Sequence, residues 1–218
     1  MKIPYLKSKE IEKKAEVLLK NFYMDTDSTK NGPIQVMDIA EYLGYDFDFR
    51  KDGIYKDKDI LGGLVIEDKK IEINANIENQ IGRTTYTIAH EIGHIILHVP
   101  LYNKVKNEKK ILCRKNEGIY GTKKMPEEVQ ADMFASYLIM PSDVVIKAFN
   151  SIFKSPINLS KIRLIDLFIR KSKRQKAFNI AKKVIDKSNL ENVSKLAMIN
   201  RLIGLNLITG IPFQKNRK

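Results

Sequence analysis

The sequence predicts a mostly helical α+β chain, in which a small β-sheet sits among helices and a helical, basic region follows. Three observations predict it. Apolar residues recur at helical spacing through most of the longer segments. Three short stretches, Tyr45–Phe49, Gly63–Glu67 and Lys70–Asn74, have the apolar alternation or β-branched content of strands. Charge is also unevenly divided. Residues 143–218 carry 17 Lys and Arg against 4 Asp and Glu, whereas residues 1–142 carry 22 of each, so the whole excess of +13 lies in the last third. Residues 1–142 are therefore read as one domain and residues 143–218 as a second, basic helical region.

Taken in order, Glu10 to Phe22 reads as a helix with Ile11, Ala15, Leu18, Leu19 and Phe22 on one face. Asp25 to Pro33 is rich in Asp, Ser, Thr, Asn and Gly and reads as a loop. Val36 to Leu43 reads as a short helix stopped by Gly44. Tyr45–Phe49 alternates as a strand, and Gly63–Glu67 with Lys70–Asn74 flanks Asp68-Lys69 as a hairpin. Tyr86 to His98 is a helix whose Ile88, Ile92, Ile95, Ile96 and Val99 form an apolar stripe. Leu101 to Lys124 is charged and glycine-punctuated, and reads as a long loop of the kind that borders functional sites. Pro126 to Pro141 is a second amphipathic helix, with Ala131, Phe134, Ala135, Leu138 and Ile139 on its apolar face. Helices are further expected at Leu159–Ile169, Ala177–Asp186 and Ser194–Gly204.

The helix at 86–98 contains His90-Glu91-Ile92-Gly93-His94, an H-E-x-x-H. Residues four apart on a helix lie on the same face, so His90 and His94 can bring two imidazole nitrogens to one metal ion. Glu91 can then serve as general base toward a water at that metal. The chain has three histidines, and two of them frame this glutamate. Gly93 in mid-helix costs about 1 kcal/mol against Ala and predicts close approach by another segment. His98, one turn past His94, is expected to pack or cap, because three helical histidines over two turns diverge from one ion.

A zinc site that works on a substrate needs a third protein ligand and an open position. The second helix offers Glu127, Glu128 and Asp132. Glu128 and Asp132 share a face at i, i+4, and we read Glu128 as the ligand and Asp132 as an acceptor for the outer N–H of a ligating histidine. Glu127 reads as a first-turn acid favoured by the helix dipole. Two imidazoles and one carboxylate suit Zn²⁺ and are compatible with Mn²⁺. Tyr102 and Tyr120 are candidate donors to the oxyanion of peptide hydrolysis. Either the Tyr45–Phe49 strand or the hairpin could hold an extended substrate at its edge.

The two blocks Arg83 to His98 and Glu128 to Pro141 resemble the ImmA/IrrE family of zinc metallopeptidases, whose second motif reads Glu-x-x-Ala-(Asn/Asp)-x-Phe-Ala-x-x-Leu-Leu-Met-Pro. Ile139 replaces one leucine of that pattern. The resemblance implies a zincin-like core with a gluzincin-like site: His90, His94 and Glu128 as ligands and Glu91 as base. It also implies a protease that cleaves a helix-turn-helix repressor of mobile-element or stress genes. Val193-Ser194, Ala197 and Arg201 to Leu205 resemble the helix-turn-helix-like segment that follows the catalytic domain in this family.

Composition bounds the rest. No apolar run has the length of a membrane span, Met1 to Lys7 lacks the apolar core of a secretory signal, and the single Cys113 forbids an intrachain disulfide. A cytoplasmic location and no membrane partner are expected. The basic third could bind DNA or an acidic protein face through Arg170, Lys171, Lys173, Arg174, Lys195 and Arg201. The competing reading is a DNA-binding or toxin–antitoxin regulator with a non-catalytic metal site. The ligand types argue for the enzyme, since structural zinc is usually closed by four Cys and His ligands and would leave Glu91 without a purpose.

Overall fold

The computed structural model describes residues 3–30, 32–54, 59–102, 111–115, 125–160 and 172–213. They form a mostly helical α+β protein whose chain divides into two compact units, Met1–Lys30 with Ile34–Ile139, and Asn31–Pro33 with Met140–Lys218.

The first unit opens with α1 (Ser8–Asp25), whose predicted face of Ile11, Ala15, Leu18, Leu19 and Phe22 is buried. The Glu10 carboxylate accepts the Lys7 backbone N–H at 2.6 Å, satisfying one of the donors a helix start leaves without an intrahelical partner. Helix α2 (Val36–Tyr42) ends at Gly44, whose φ of 79° lets the chain turn directly into β1 (Asp46–Arg50). Strands β2 (Ile60–Val65) and β3 (Lys70–Asn74) form the expected hairpin, with Lys69 in the left-handed region at φ 46°. A fourth strand, β4 (Ile111–Lys115), pairs antiparallel with β2.

Among the described residues the sheet order is β1-β3-β2-β4, with β1 and β3 parallel and the other pairs antiparallel. The register places Phe47 and Phe49 of β1, Ile71 and Ile73 of β3, and Gly62 and Leu64 of β2 on one face. Asp48, Arg50 and Glu72 occupy the other, where Arg50 meets Asp48 at 3.0 Å and Glu72 at 3.8 Å. That alternation is why the sheet has one face to cover a helix.

The covered helix is α3 (Ile81–Leu97), followed by the single turn α4 (Val99–Tyr102). It packs on β2 and β3, and α5 (Pro126–Ile139) packs on it in turn. Ile88, Ile92 and Ile95 are buried as the spacing predicts, but so are Thr85, Thr87, His90, Glu91 and His94. Because α3 lies between sheet and helix, its polar face is as enclosed as its apolar one. On α5, Ala131, Phe134, Ala135, Leu138 and Ile139 are buried, and α1 covers it from another side.

Two expectations are corrected here. The stretch Leu101–Lys124, read as loop, contains strand β4, and Cys113 stands on that strand rather than in a loop. The β2–β3 hairpin cannot offer a substrate edge, because β1 and β4 pair with its outer sides, so the edges among the described strands are β1 and β4. A strand whose residues are charged on both sides of a short apolar run lacks the alternation that announces one, and its pairing with β2 is a long-range event.

The second unit contains α6 (Ser142–Ile152), a helix the periodicity reading passed over, then α7 (Lys173–Ser188) and α8 (Lys195–Gly204). Helix α7 starts with a capping box between Ser172 and Gln175, and α8 with Ser194 accepting the Ala197 N–H at 3.1 Å. Short strands β5 (Ile157–Asn158) and β6 (Ile208–Thr209) pair in parallel within this unit. The helix expected at Leu159–Ile169 lies outside the described residues beyond Ser160.

Candidate metal centre

The centre is built where α3 and α5 cross. A Cβ on Gly93 would lie 3.1 Å from both the Cα and the carbonyl oxygen of Ala131 and 3.2 Å from the Cβ of Phe134. Glycine facing alanine lets the two backbones approach, as the mid-helix glycine predicts. One turn of α5 before Ala131 stands Glu128, and beside Ala131 stands Asp132, so the crossing delivers both carboxylates to the histidine edge of α3. The Tyr86 hydroxyl donates to the Asp132 backbone carbonyl at 3.0 Å and ties the same two helices.

His90 Nε2 and His94 Nε2 lie 3.1 Å apart. Glu128 straddles them, with Oε2 3.2 Å from His90 Nε2 and Oε1 3.3 Å from His94 Nε2. His90, His94 and Glu128 thus form a group that could hold a metal ion, with one candidate ligand atom from each lying within 4.8 Å of the others. Bonds of 2.0–2.1 Å to a tetrahedral zinc would place neighbouring ligand atoms roughly 3.3 Å apart, close to these nearest approaches. The donor set, two imidazoles and a carboxylate, is one that zinc accepts while keeping a position open.

In this structure the two imidazoles themselves set the charge state of Glu128. Burial pushes the Glu128 carboxyl up, but hydrogen bonding and charge from the two imidazoles outweigh it and hold the group well below the usual carboxylate range. Glu128 is therefore ionised at neutral pH and half-exposed at most, while His90 and His94 are buried.

Asp132 Oδ1 lies 3.0 Å from His90 Nδ1 and accepts its N–H, which leaves the His90 Nε2 lone pair for the metal. Glu127, the neighbouring acid, turns elsewhere and accepts the Tyr102 hydroxyl at 3.4 Å. Burial, with Glu127 beside it, pushes the Tyr102 hydroxyl up to about 12, so it keeps its proton and remains a donor. Tyr120 lies outside the described residues.

Glu91 is fully buried and lies against β2. A Cβ on Gly62 would stand 3.0 Å from Glu91 Oε1 and would collide with Thr87 Cγ2. The bare backbone of β2 at Gly62 thus makes the room in which the Glu91 carboxylate sits. The sequence reading missed Gly62. The Gly62-Gly63 pair, unusual inside a strand, is the signal that could have found it, since glycine in a strand marks close approach.

His98 ends α3, and its backbone N–H donates to His94 O at 2.9 Å, the capping role expected of it. It also does more. His98 Nδ1 lies 2.9 Å from His94 Nδ1, and His98 Nε2 lies 3.3 Å from Gln130 Oε1. Burial, then the neighbouring His94, lower the His98 imidazole to about 4, so it is neutral at pH 7.

The basic region places its candidates unequally. Lys173, Arg174 and Lys195 are exposed, whereas Arg170 and Lys171 lie outside the described residues. Arg201, expected to face a partner, is 4% exposed and donates from Nε to the Met140 carbonyl at 2.9 Å. Its position on the inner side of α8 assigns the guanidinium to a backbone acceptor within the second unit.

Among the described residues no helix is long and apolar enough to cross a membrane. No curated protein matches the chain. The model of the IrrE N-terminal-like domain, a peptidase family, matches residues 34–156 and so spans every residue of the centre just described. That match covers more than half of the sequence, and the chain belongs to the ImmA/IrrE family, with a zinc-metallopeptidase-like domain at its core.

Proposed function

We propose that this protein is a zinc-dependent, site-specific endopeptidase of the cytoplasm that cleaves a helix-turn-helix transcriptional repressor and so derepresses mobile-element or stress genes. The observation that carries the reading is the convergence of His90, His94 and Glu128, with Glu91, the residue after His90, enclosed on the same helix. Zn²⁺ held by the three ligands, or Mn²⁺ in its place, would polarise the scissile carbonyl and lower the pKa of water. Glu91 would take the proton from the attacking water at its carboxylate and hand it to the leaving amine nitrogen. Asp132 would hold His90 by its Nδ1–H and keep the ring oriented. Tyr102 keeps a hydroxyl proton at the end of α4 and is a candidate donor to the oxyanion.

The repressor as substrate rests on the family's implied role and on the basic last third, which suits a partner that is DNA-bound or acidic. Arg170, Lys171, Lys173, Arg174 and Lys195 remain the proposed contacts. Co-expression of the wild-type chain and Glu91→Gln with repressors encoded nearby, followed by mass spectrometry of the repressor, tests the proposal. Fragments of one defined cut, formed by wild type alone, support it. An intact repressor in both strains, with derepression still occurring, would sink proteolysis as the mechanism.

A further inference from the structure

The two ligand histidines are backed by different chemistry. His90 Nδ1 faces a carboxylate, which can only accept. His94 Nδ1 faces a third imidazole, which can donate or accept, so something beyond it must decide. Building on the metal centre proposed above, we propose that His98 is a positioning residue which, with Gln130 and the Pro4 carbonyl, holds His94 in the tautomer whose Nε2 lone pair faces the metal.

The direction of the chain follows from its outer end. The Pro4 carbonyl can only accept, so the Gln130 atom 2.9 Å from it is the amide nitrogen. That orientation turns Gln130 Oε1 toward His98 Nε2 at 3.3 Å, and an oxygen acceptor there requires the His98 proton on Nε2. The neutral ring then has its lone pair on Nδ1, 2.9 Å from His94 Nδ1, whose N–H must be the donor. His94 is left with a lone pair on Nε2, the atom 3.1 Å from His90 Nε2 and 3.3 Å from Glu128 Oε1.

The inner end gives the same answer. A metal on His94 Nε2 needs the proton on Nδ1, which needs an acceptor at His98 Nδ1, which needs the proton on His98 Nε2. Reversing any one link sets like groups against each other or spends the His94 Nε2 position on a proton shared with Glu128 in place of a metal. His94, His98 and Gln130 are 1%, 0% and 4% exposed, so bulk water does not substitute for a missing link. The N-terminal segment, through one carbonyl, thus sets the protonation pattern of a ligand on α3.

The test uses the full chain. Zinc affinity is measured by competition with a chromophoric chelator for wild type, His98→Phe, His98→Asn and Gln130→Leu, with thermal melting as the fold control. Ring-nitrogen NMR of the metal-free wild type reads the tautomers. His98→Phe should weaken zinc about 10–100-fold, the usual cost of losing a partner behind a ligand. His98→Asn, whose amide oxygen can accept from His94, should recover most of that loss. The spectra should show the proton on Nδ1 of His94 and on Nε2 of His98. Zinc affinity unchanged in both His98→Phe and Gln130→Leu, or a His94 Nδ1 that carries no proton, would overturn the proposal. If His98→Phe does not fold, Gln130→Leu and the wild-type spectra decide. A wild type that binds no zinc would refute the metal reading, while the tautomers, measured without metal, judge the relay separately.

Discussion

The two compact units enclose polar groups to opposite ends. In the first, His90, His94, His98 and Gln130 are buried and gather along the face where α3 meets α5, with Glu91 buried on the β2 side of α3. In the second, the buried cation Arg201 is engaged by the Met140 carbonyl, while Lys173, Arg174, Lys182, Lys183, Lys187 and Lys195 stay exposed. Burying polar groups is costly unless they are hydrogen-bonded. In the second unit the Arg201–Met140 hydrogen bond closes a helix against a chain turn. In the first, the bonds orient ring nitrogens and carboxylates toward a common point and leave ligand atoms facing it. The difference separates a polar group that stabilises structure from a set that builds a site.

The sharpest way to break the comparison is at Glu91. Glu91→Gln should retain metal and fold but lose about 10²–10⁴-fold in cleavage, the typical contribution of a positioned general base. Cleavage of a cognate protein at the wild-type rate would show that the enclosed carboxylate is structural after all. Next, Glu128→Gln should weaken metal binding by at least about 100-fold, beyond the 10–100-fold typical of outer partners. Glu127→Gln should leave it unchanged, because Glu127 engages Tyr102 instead; metal analysis with the reverse ranking would move the ligand role by one residue. Asp132→Asn should cost about 10–100-fold in metal affinity, since only the acceptor of the His90 Nδ1–H changes.

Acid should distinguish the units as well. The folded His98 imidazole sits near 4 against an ordinary 6.5, so between those values the unfolded chain binds a proton that the native metal-free protein does not. The contribution of neutral His98 to stability is therefore present above pH 6.5 and is lost as the pH falls toward 4. Denaturant melts of wild type and His98→Asn over that window should converge on acidification; parallel curves would contradict it. The smallest effects belong to the second unit. Arg201→Ala should destabilise by about 1–3 kcal/mol through the orphaned Met140 carbonyl and lost packing, whereas Lys173→Glu with Arg174→Glu should change stability by only about 0.5 kcal/mol. Equal melting temperatures for the two variants would remove the contrast between buried and displayed charge.

Much of the first unit was legible. The i, i+4 spacing of His90 and His94 and of Glu128 and Asp132 places each pair on one helix face by helical geometry alone. Gly93 announced the crossing partner before the partner was known. The strands at 46–50 and 70–74 were readable because one face carries Phe47, Phe49, Ile71 and Ile73 and the other carries charge. Strand β4 was not readable, because the stretch Ile111-Leu-Cys-Arg-Lys115 has no alternation and acquires its strand only by pairing with β2. Helix α6 was not read from the sequence, although Val145, Ala148 and Phe149, which it buries, recur at helical spacing.

What the sequence by itself determined is therefore the local part of the chemistry: which residues share a helix face, which of them can ligate, and which glycine must lie at a crossing. These follow from spacing along one element, and spacing survives in a string of letters. Only the tertiary structure decided the partners across elements. It set Gly62 against Glu91, Gln130 between His98 and the Pro4 carbonyl, and Arg201 on Met140. Those contacts join residues far apart in the chain, and their identity depends on how two packed surfaces meet, a quantity that no periodicity within either surface contains.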